Sequence, residues 1–171
     1  MAIDVKVIGL DKQVHDLEWA RAKYGVNALS VDPITGPGYR LIMAMEVTGM
    51  LATTCTVLGA NGQGIVGAIV DYIYPEPPSH WDPETAMSGG TAEHSMGPNE
   101  GYDPRNAMGP ASWKVRDANC ERVKGLGWLA YTNHEHMNIV VQWTDGDTPP
   151  PDNGGCLPGW LRGWLEKLLA R

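Results

Sequence analysis

Three short runs of strand-forming residues in the middle of the chain limit its fold more than any other feature. The runs, rich in Val, Thr, Ile and Met, cover residues 39–48, 51–58 and 65–74. Between the second and third runs, the pair Asn61 and Gly62 supplies the positive φ angles of a tight hairpin turn. Three neighbouring strands joined by short turns predict an antiparallel meander, with which a sandwich or barrel begins.

Further strand patterns flank this region. Residues 2–9 and 112–117 alternate apolar and polar side chains, 136–144 is a β-rich run, and shorter strands are expected at 91–96 and 128–132. The 171 residues include 21 Gly and 13 Pro, about one residue in five, which argues against a helical bundle. Because 43 % of the residues are hydrophobic, the chain can bury a core. We therefore expect a mainly β fold, an antiparallel β-sandwich.

We expect the sandwich to cover residues 39–144 and to follow an N-terminal arm and short helix within residues 1–38. Asp11 is suited to cap that helix, and Gly25 lies where a terminal glycine would end it. Residues 75–110 are dominated by Pro, Gly, Ser, Asn and acidic residues. They predict one long irregular loop, and loops of that length are usually functional or disordered.

The last part of the chain differs from the sandwich region. Residues 145–159 contain three consecutive prolines and predict a stiff spacer. Residues 160–171 predict an amphipathic helix, which is too short to be stable alone in water and must dock. Two docking partners stay open, the chain's own sandwich and another subunit of a homo-oligomer or larger assembly. The residues expected to make this contact are Trp160, Leu161, Trp164, Leu165 and Leu168.

Charge and cysteine usage exclude several classes of function. The net charge is −7 and Lys and Arg form no cluster, so nucleic acid is not an expected partner. No apolar stretch approaches the length of a membrane span, and the N-terminus lacks an apolar signal region, so we expect a protein that is cytoplasmic as made. Release, or incorporation into a virion or surface assembly, stays open. Cys55 is expected to be a small buried hydrophobe; a Cys120–Cys156 disulfide is an alternative to the favoured free thiols.

Residues 56–71 resemble the hairpin of immunoglobulin-like and carboxypeptidase-regulatory-like sandwiches, in which an Asn-Gly or Asp-Gly turn joins strands of small and β-branched residues. Residues 90–97 and 112–117 are similar to the next two strands of such domains. The resemblance covers residues 39–144. It implies a non-catalytic module that binds carbohydrate, attaches to enzymes of polysaccharide or cell-wall breakdown, or decorates virions and cell surfaces.

Aromatic residues supply the main hypothesis for a ligand site. The chain has seven Trp and six Tyr but no Phe, so every large aromatic side chain carries a polar group. Indole and phenol rings in loops can stack on sugar rings while neighbouring polar groups bind hydroxyls. A core position is the alternative, and it is favoured for Trp113. The ligand-binding candidates are Trp81, Tyr102, Asp103, Trp113 and Trp128.

Metal chemistry is the weaker hypothesis. His134 and His136 are two residues apart, so on a strand both imidazoles would point to the same face and could hold one ion, with His94 among the residues that complete the shell. Exposed or hydrogen-bonded histidines are the favoured alternative, and no cofactor is expected. The sequence thus favours a recognition module for a glycan or cell-wall polymer that is not an enzyme. A structural or decoration protein is the alternative, and a metal-dependent hydrolase comes third.

Overall fold

The computed structural model describes residues 4–48, 52–74, 80–95, 111–126 and 136–145. These residues form eleven strands, one α-helix and one 3-10 helix at Ser88–Gly90. The elements are β1 (Lys6–Ile8), β2 (Val14–His15), α1 (Leu17–Tyr24), β3 (Ser30–Asp32), β4 (Gly38–Val47), β5 (Ala52–Leu58), β6 (Ile69–Tyr74), β7 (His80–Thr85), β8 (Thr91–Ser95), β9 (Ser112–Val115), β10 (Arg122–Lys124) and β11 (His136–Thr144).

The strands form two sheets, and the predicted mainly β class is confirmed. A six-stranded sheet has the order β2-β1-β4-β11-β5-β8, and a five-stranded sheet has the order β3-β10-β9-β6-β7. Most neighbouring strands are antiparallel, but β1 is parallel to β4 and β5 is parallel to β11. Residues 1–38 contribute to both sheets, since β1 pairs with β4 and β3 pairs with β10.

The predicted meander is wrong, because β4, β5 and β6 are not neighbours. Strand β11 lies between β4 and β5, and β6 belongs to the five-stranded sheet. Ile139, Val140 and Val141 give β11 a continuous apolar run, which suits a central strand buried on both faces. The strand 136–144 itself was predicted with the bounds that the structure shows.

The turn after β5 is tight, as predicted, but its conformation differs from the expected one. The Gly62 N–H donates to the Gly59 carbonyl over 2.9 Å, and Gly62 has a φ of 75°, whereas Asn61 is not among the described residues with positive φ. The arrangement is that of a type I turn followed by a left-handed glycine. Asn61 Oδ1 instead accepts the N–H of Gln63. After a single bridge between Leu58 and Gly64, the chain passes into the other sheet.

The N-terminal helix is shorter than predicted and has another cap. Asp16, not Asp11, accepts the N–H of Trp19 at its first turn, and α1 begins at Leu17. Asp11 is held away by bonds to the backbone N–H of Gln13 and to the ring of His15. The predicted end is confirmed, because Gly25 has a φ of 100° and its N–H donates to the Arg21 carbonyl.

The prediction of one irregular loop over 75–110 is wrong for residues 80–95. These residues form β7, the 3-10 helix and β8, of which only the short strand at 91–96 was expected. The predicted strand at 128–132, the spacer from residue 146 onwards and the predicted helix over 160–171 lie outside the described residues.

The inner faces of the two sheets share one buried core. Its members come from both sheets and from α1, and they include Leu41, Val57, Val141, Tyr72, Trp113, Val123, Ala20 and Tyr24. Cys55 belongs to this core, as predicted, and Cys55 and Cys120 are free, buried thiols. Burial raises the pKa of both thiols, that of Cys120 to about 11.

A second, smaller cluster lies on the outer face of the six-stranded sheet. Val140 belongs to it, whereas its neighbours Ile139 and Val141 point into the shared core, as strand alternation requires. We call this set the outer cluster; it comprises Ile8, Ile42, Met43, Met45, Leu58 and Val140. No helix within the described residues is long and apolar enough to cross a membrane.

Candidate functional site

Trp81 is exposed on the outer face of the five-stranded sheet. It lies on the edge strand β7, and 53 % of its surface is accessible. Strand alternation places Trp81 and Pro83 on the outer face, whereas Asp82 and Glu84 pair with inward-facing positions of β6. A proline is tolerated within β7 because an edge strand has no further partner that needs its N–H.

Two rows of side chains cross the sheet beside Trp81, and we call this surface the Trp81 face. In the first row, Trp81 pairs with Ile73, Ile73 with Ser112, and Ser112 with Lys124. The second row contains Pro83, Asp71 and Lys114, and the same register places Arg122 next to Lys114. Ile73, Ser112 and Asp71 are buried, so the Trp81 face offers an exposed apolar edge on β7 and half-buried cations on β9 and β10.

Asp71 and Arg116 form an ion pair on the Trp81 face. Asp71 is buried, and the Arg116 Nε donates to its Oδ1 over 2.9 Å, with a second contact from a terminal guanidinium nitrogen to the same oxygen. The hydrogen bond that Arg116 donates to the Asp71 carboxylate raises the pKa of the guanidinium. Because both contacts converge on one carboxylate oxygen, they hold the guanidinium in a fixed position on the sheet surface.

The Trp81 face is locally basic although the chain as a whole is acidic. The strands β9 and β10 and the turn between them place Lys114, Arg116, Arg122 and Lys124 there. Arg116 pairs with Asp71 and Lys124 pairs with Asp32. Arg122 donates to the Ser112 hydroxyl over 2.8 Å; within the described part of the chain neither it nor Lys114 has an acidic partner. This surface can therefore bind negatively charged groups.

A buried polar network supports the Trp81 face from beneath. On the inner face of β7, the Glu84 carboxylate accepts a hydrogen bond from Nδ1 of His94 on β8 over 3.0 Å. This bond links the two sheets. The His94 ring stacks on Tyr72 with centroids 4.1 Å apart, and Tyr72 contacts Trp113 edge-on. Trp113 Nε1 in turn donates to the Thr53 hydroxyl over 3.3 Å. These contacts fix the strands that carry Trp81.

A groove of about 480 Å³ lies at the other end of the molecule. It is lined by residues of β1, β2 and the start of α1, namely Asp4, Val5, Lys6, Val14, His15, Asp16 and Trp19. His15 stacks on Trp19 with ring centroids 4.0 Å apart, and the Lys23 ammonium lies over the same indole. The indole is thus covered by the chain's own side chains, which makes it a poorer platform for a ligand than Trp81.

Two ion pairs brace this groove. Both Asp11 carboxylate oxygens lie within hydrogen-bond distance of His15 Nε2, at 3.0 and 3.1 Å. The backbone N–H of Gln13, followed by the bond to His15, lowers the pKa of Asp11. Lys23 Nζ contacts the buried Glu46 carboxylate at 2.5 Å, and the other Glu46 oxygen accepts the N–H of Leu10.

The structure separates the aromatic ligand candidates. Trp81 is exposed, whereas Trp113 is completely buried and has no surface to offer a dissolved ligand, in agreement with the core alternative. Tyr102, Asp103 and Trp128 lie outside the described residues. The same is true of the predicted partner contacts Trp160, Leu161, Trp164, Leu165 and Leu168.

The histidines proposed for a metal site are not brought together. Both histidines belong to the six-stranded sheet. His94 points into the shared core and stacks on Tyr72. His136 is four residues before Val140 on β11, so strand alternation places it on the outer face. One ion cannot contact both side chains through a sheet. His134 lies outside the described residues, and the part of the chain that is described contains no group of three His, Cys, Asp or Glu side chains suited to a metal.

Two features escaped the sequence analysis. The groove residues His15 and Trp19 and their partners Asp11 and Lys23 recur at intervals of four along the chain. This spacing predicts one continuous helix, although only Trp19 and Lys23 are helical. The pair Asp71 and Arg116 joins strands whose pairing no local pattern announces.

No protein-family model, no curated protein and no solved structure matches this chain, so its function is inferred from its own geometry.

Proposed function

We propose that the protein is a non-catalytic recognition module that binds a glycan or cell-wall polymer on the Trp81 face. The observation that carries the proposal is the exposure of Trp81 on a regular strand of a sheet. A half-exposed tryptophan on a regular strand offers its ring at a defined position to a ligand or partner. Its apolar ring face suits the C–H face of a sugar, while the indole N–H can donate a hydrogen bond.

The charges of the Trp81 face favour an acidic polymer. Lys114 and Arg122 lie side by side in the centre of the sheet and lack acidic partners among the described residues. Carboxylate, phosphate or sulfate groups on a sugar chain would pair with these cations. The accessible residues Trp81, Lys114 and Arg122 are spread over β7, β9 and β10, an arrangement that suits an extended chain rather than a small enclosed ligand.

We further infer that the two sheets pack as a sandwich of the immunoglobulin-like kind. Support comes from the shared core, to which the inward residues of both sheets contribute. The Glu84–His94 bond joins the sheets at their edge strands β7 and β8 in addition to this core. A sandwich presents two outer faces, and one of them is the Trp81 face.

The test compares two substitutions of exposed residues. Trp81→Ala and the control Val26→Ala, at an exposed residue in the turn after α1, are screened with the unaltered protein on a glycan array and against insoluble cell-wall polymers. We expect Trp81→Ala to weaken binding about tenfold or more and Val26→Ala to leave it unchanged. An unaltered protein that binds no glycan, or full binding by Trp81→Ala, would overturn the proposal.

A second candidate function is a structural or decoration protein of a virion or bacterial surface assembly. Val66 and Met87 are both exposed, at 67 and 66 %, and they lie next to each other because the Gly67 N–H donates to the Ala86 carbonyl. They form a small exposed apolar patch at the end of β7 opposite Trp81, which suits a protein contact. Sedimentation of the unaltered protein distinguishes the two functions: a symmetric oligomer that Met87→Asp dissociates would favour assembly.

A further inference from the structure

Most of the outer cluster is buried, although the shared core lies on the opposite face of its sheet. Its residues Val140, Leu58 and Met43 are only 1 to 3 % exposed. Every member belongs to the six-stranded sheet, and both α1 and the five-stranded sheet contribute to the shared core on the opposite face. Since side chains on an uncovered sheet face are open to water, a further layer must cover this cluster.

We propose that residues 160–171 form this layer, packing as an amphipathic helix across the outer face of the six-stranded sheet. The segment carries apolar residues at helical spacing, with Leu161 and Leu168 at the centre of the apolar side and Ala170 on the opposite side. Its apolar side thus supplies what the outer cluster lacks.

The dimensions of the helix and the cluster agree. Twelve residues of α-helix are about 18 Å long. The outer cluster spans β1, β4, β11 and β5, which are consecutive in the sheet and together about 14 Å wide at 4.8 Å per neighbour. One helix of this length therefore crosses all four strands that carry the cluster.

The connection is long enough for the segment to return to this face. The described chain leaves the sheet at Asp145, only five residues beyond Val140. Fourteen residues, 146–159, separate Asp145 from the segment, and a chain of that length reaches at most about 43 Å at about 3.1 Å per residue in a polyproline conformation. The distance from Asp145 back to Val140 along the strand is about 17 Å, so this reach exceeds what the return requires.

A buried donor on the same face also calls for a covering layer. Asn138 pairs with Met45 of the outer cluster, is 1 % exposed, and its Oδ1 accepts the Thr54 N–H over 2.8 Å. Its Nδ2 is buried and has no hydrogen-bond partner among the described residues. Because a buried N–H without an acceptor is costly, the covering layer is expected to bring an acceptor to this position.

The test measures methionine oxidation by hydrogen peroxide in the full chain. Leu168→Asp places a charge on the apolar side of the segment, and the control Ala170→Asp places it on the opposite side. Peptide mass spectrometry then follows Met43 and Met45 of the outer cluster, with Met137 of the shared core as the internal reference for global unfolding. We expect Leu168→Asp to raise oxidation of Met43 and Met45 about fivefold or more, towards that of exposed Met87, while Met137 stays protected.

Two results would overturn the proposal. If Met43 and Met45 stay protected in Leu168→Asp, another part of the chain, such as residues 127–135, covers the face. If their protection in the unaltered protein falls on dilution together with the sedimentation mass, the cover is a second copy. If Met137 loses protection as well, the milder variant Leu168→Ala is measured in the same way. A selective rise in Met43 oxidation then supports the proposal, and no rise contradicts it.

Discussion

The six-stranded sheet turns Met43, Leu58 and Val140 outward, and all three are buried. The five-stranded sheet exposes Trp81 and Pro83 on its edge strand β7, whereas Ile73 and Ser112, the outward residues next to them, are buried. The two outer faces belong to one chain and adjoin one shared core. Their difference lies in the residues at outward positions of the strands. The outward apolar residues of the six-stranded sheet form one cluster over four strands, whereas Ile73 and Trp81 of the five-stranded sheet lie beside polar and charged residues.

The comparison separates structural and binding roles within a two-sheet fold. A face that is already covered contributes to the stability of the chain and leaves little area for a partner. A face that keeps a tryptophan in water and holds its charges in place has surface left for a ligand. For this reason the Trp81 face, rather than the face with more apolar area, is the candidate for recognition.

The largest expected effect comes from placing a charge on each outer face. Val140→Asp buries an unpaired carboxylate in the outer cluster and should lower the free energy of unfolding by about 3–5 kcal/mol. Thr85→Asp, at an exposed outward position of β7, should change it by about 0.5 kcal/mol or less. Urea unfolding measures both. If Val140→Asp does not fold, Met43→Ala should cost about 2–5 kcal/mol. Equal effects on the two faces would contradict the comparison.

A smaller effect concerns the core that both sheets share. Burial raises the pKa of the Cys120 thiol from 9.0 to about 11, so the folded state favours the neutral thiol. This stabilisation is complete below the pKa of the unfolded thiol and is lost as pH rises from about 9 through 11. We expect the free energy of unfolding to fall by about 2 kcal/mol between pH 8 and 10.5 on account of this group. In Cys120→Ala the free energy of unfolding should fall by about 2 kcal/mol less over the same pH range than in the unaltered protein. If both proteins show the same pH dependence, the thiol is not buried.

Local patterns predicted the elements better than their arrangement. The strand 136–144 was predicted correctly because an apolar run bounded by polar residues is readable in one window. Its place between β4 and β5 was not, because Ile139 pairs with Ala44 and Cys55, about 95 and 84 positions away, and nothing local encodes such a pairing. The helix start was missed because His15 pairs in a strand with Val7 and thus interrupts the helical spacing.

The candidate site shows the same limit. Alternation in 112–117 favoured a core position for Trp113, and the structure agrees. Trp81 was a ligand candidate, but the strand that presents it was not expected, because Pro83 made the segment resemble a loop. The basic residues of the Trp81 face come from β9, β10 and the turn between them and meet the tryptophan only through the sheet.

The smallest expected effect tests the charge of the Trp81 face. Lys114→Ala removes a cation without an acidic partner among the described residues, and it should weaken binding to an acidic polymer about two- to fivefold at low salt. Lys12→Ala, in the exposed turn before β2, is the matched control and should have no effect. Because salt screens exposed charges, the difference should vanish near 0.5 M salt, where the Debye length falls to about 4 Å. Affinity electrophoresis in gels that contain an acidic or a neutral polysaccharide measures both variants. If the protein binds the neutral polymer equally well and Lys114→Ala has no effect at any salt concentration, Trp81 stacking alone accounts for recognition and the acidic preference is wrong.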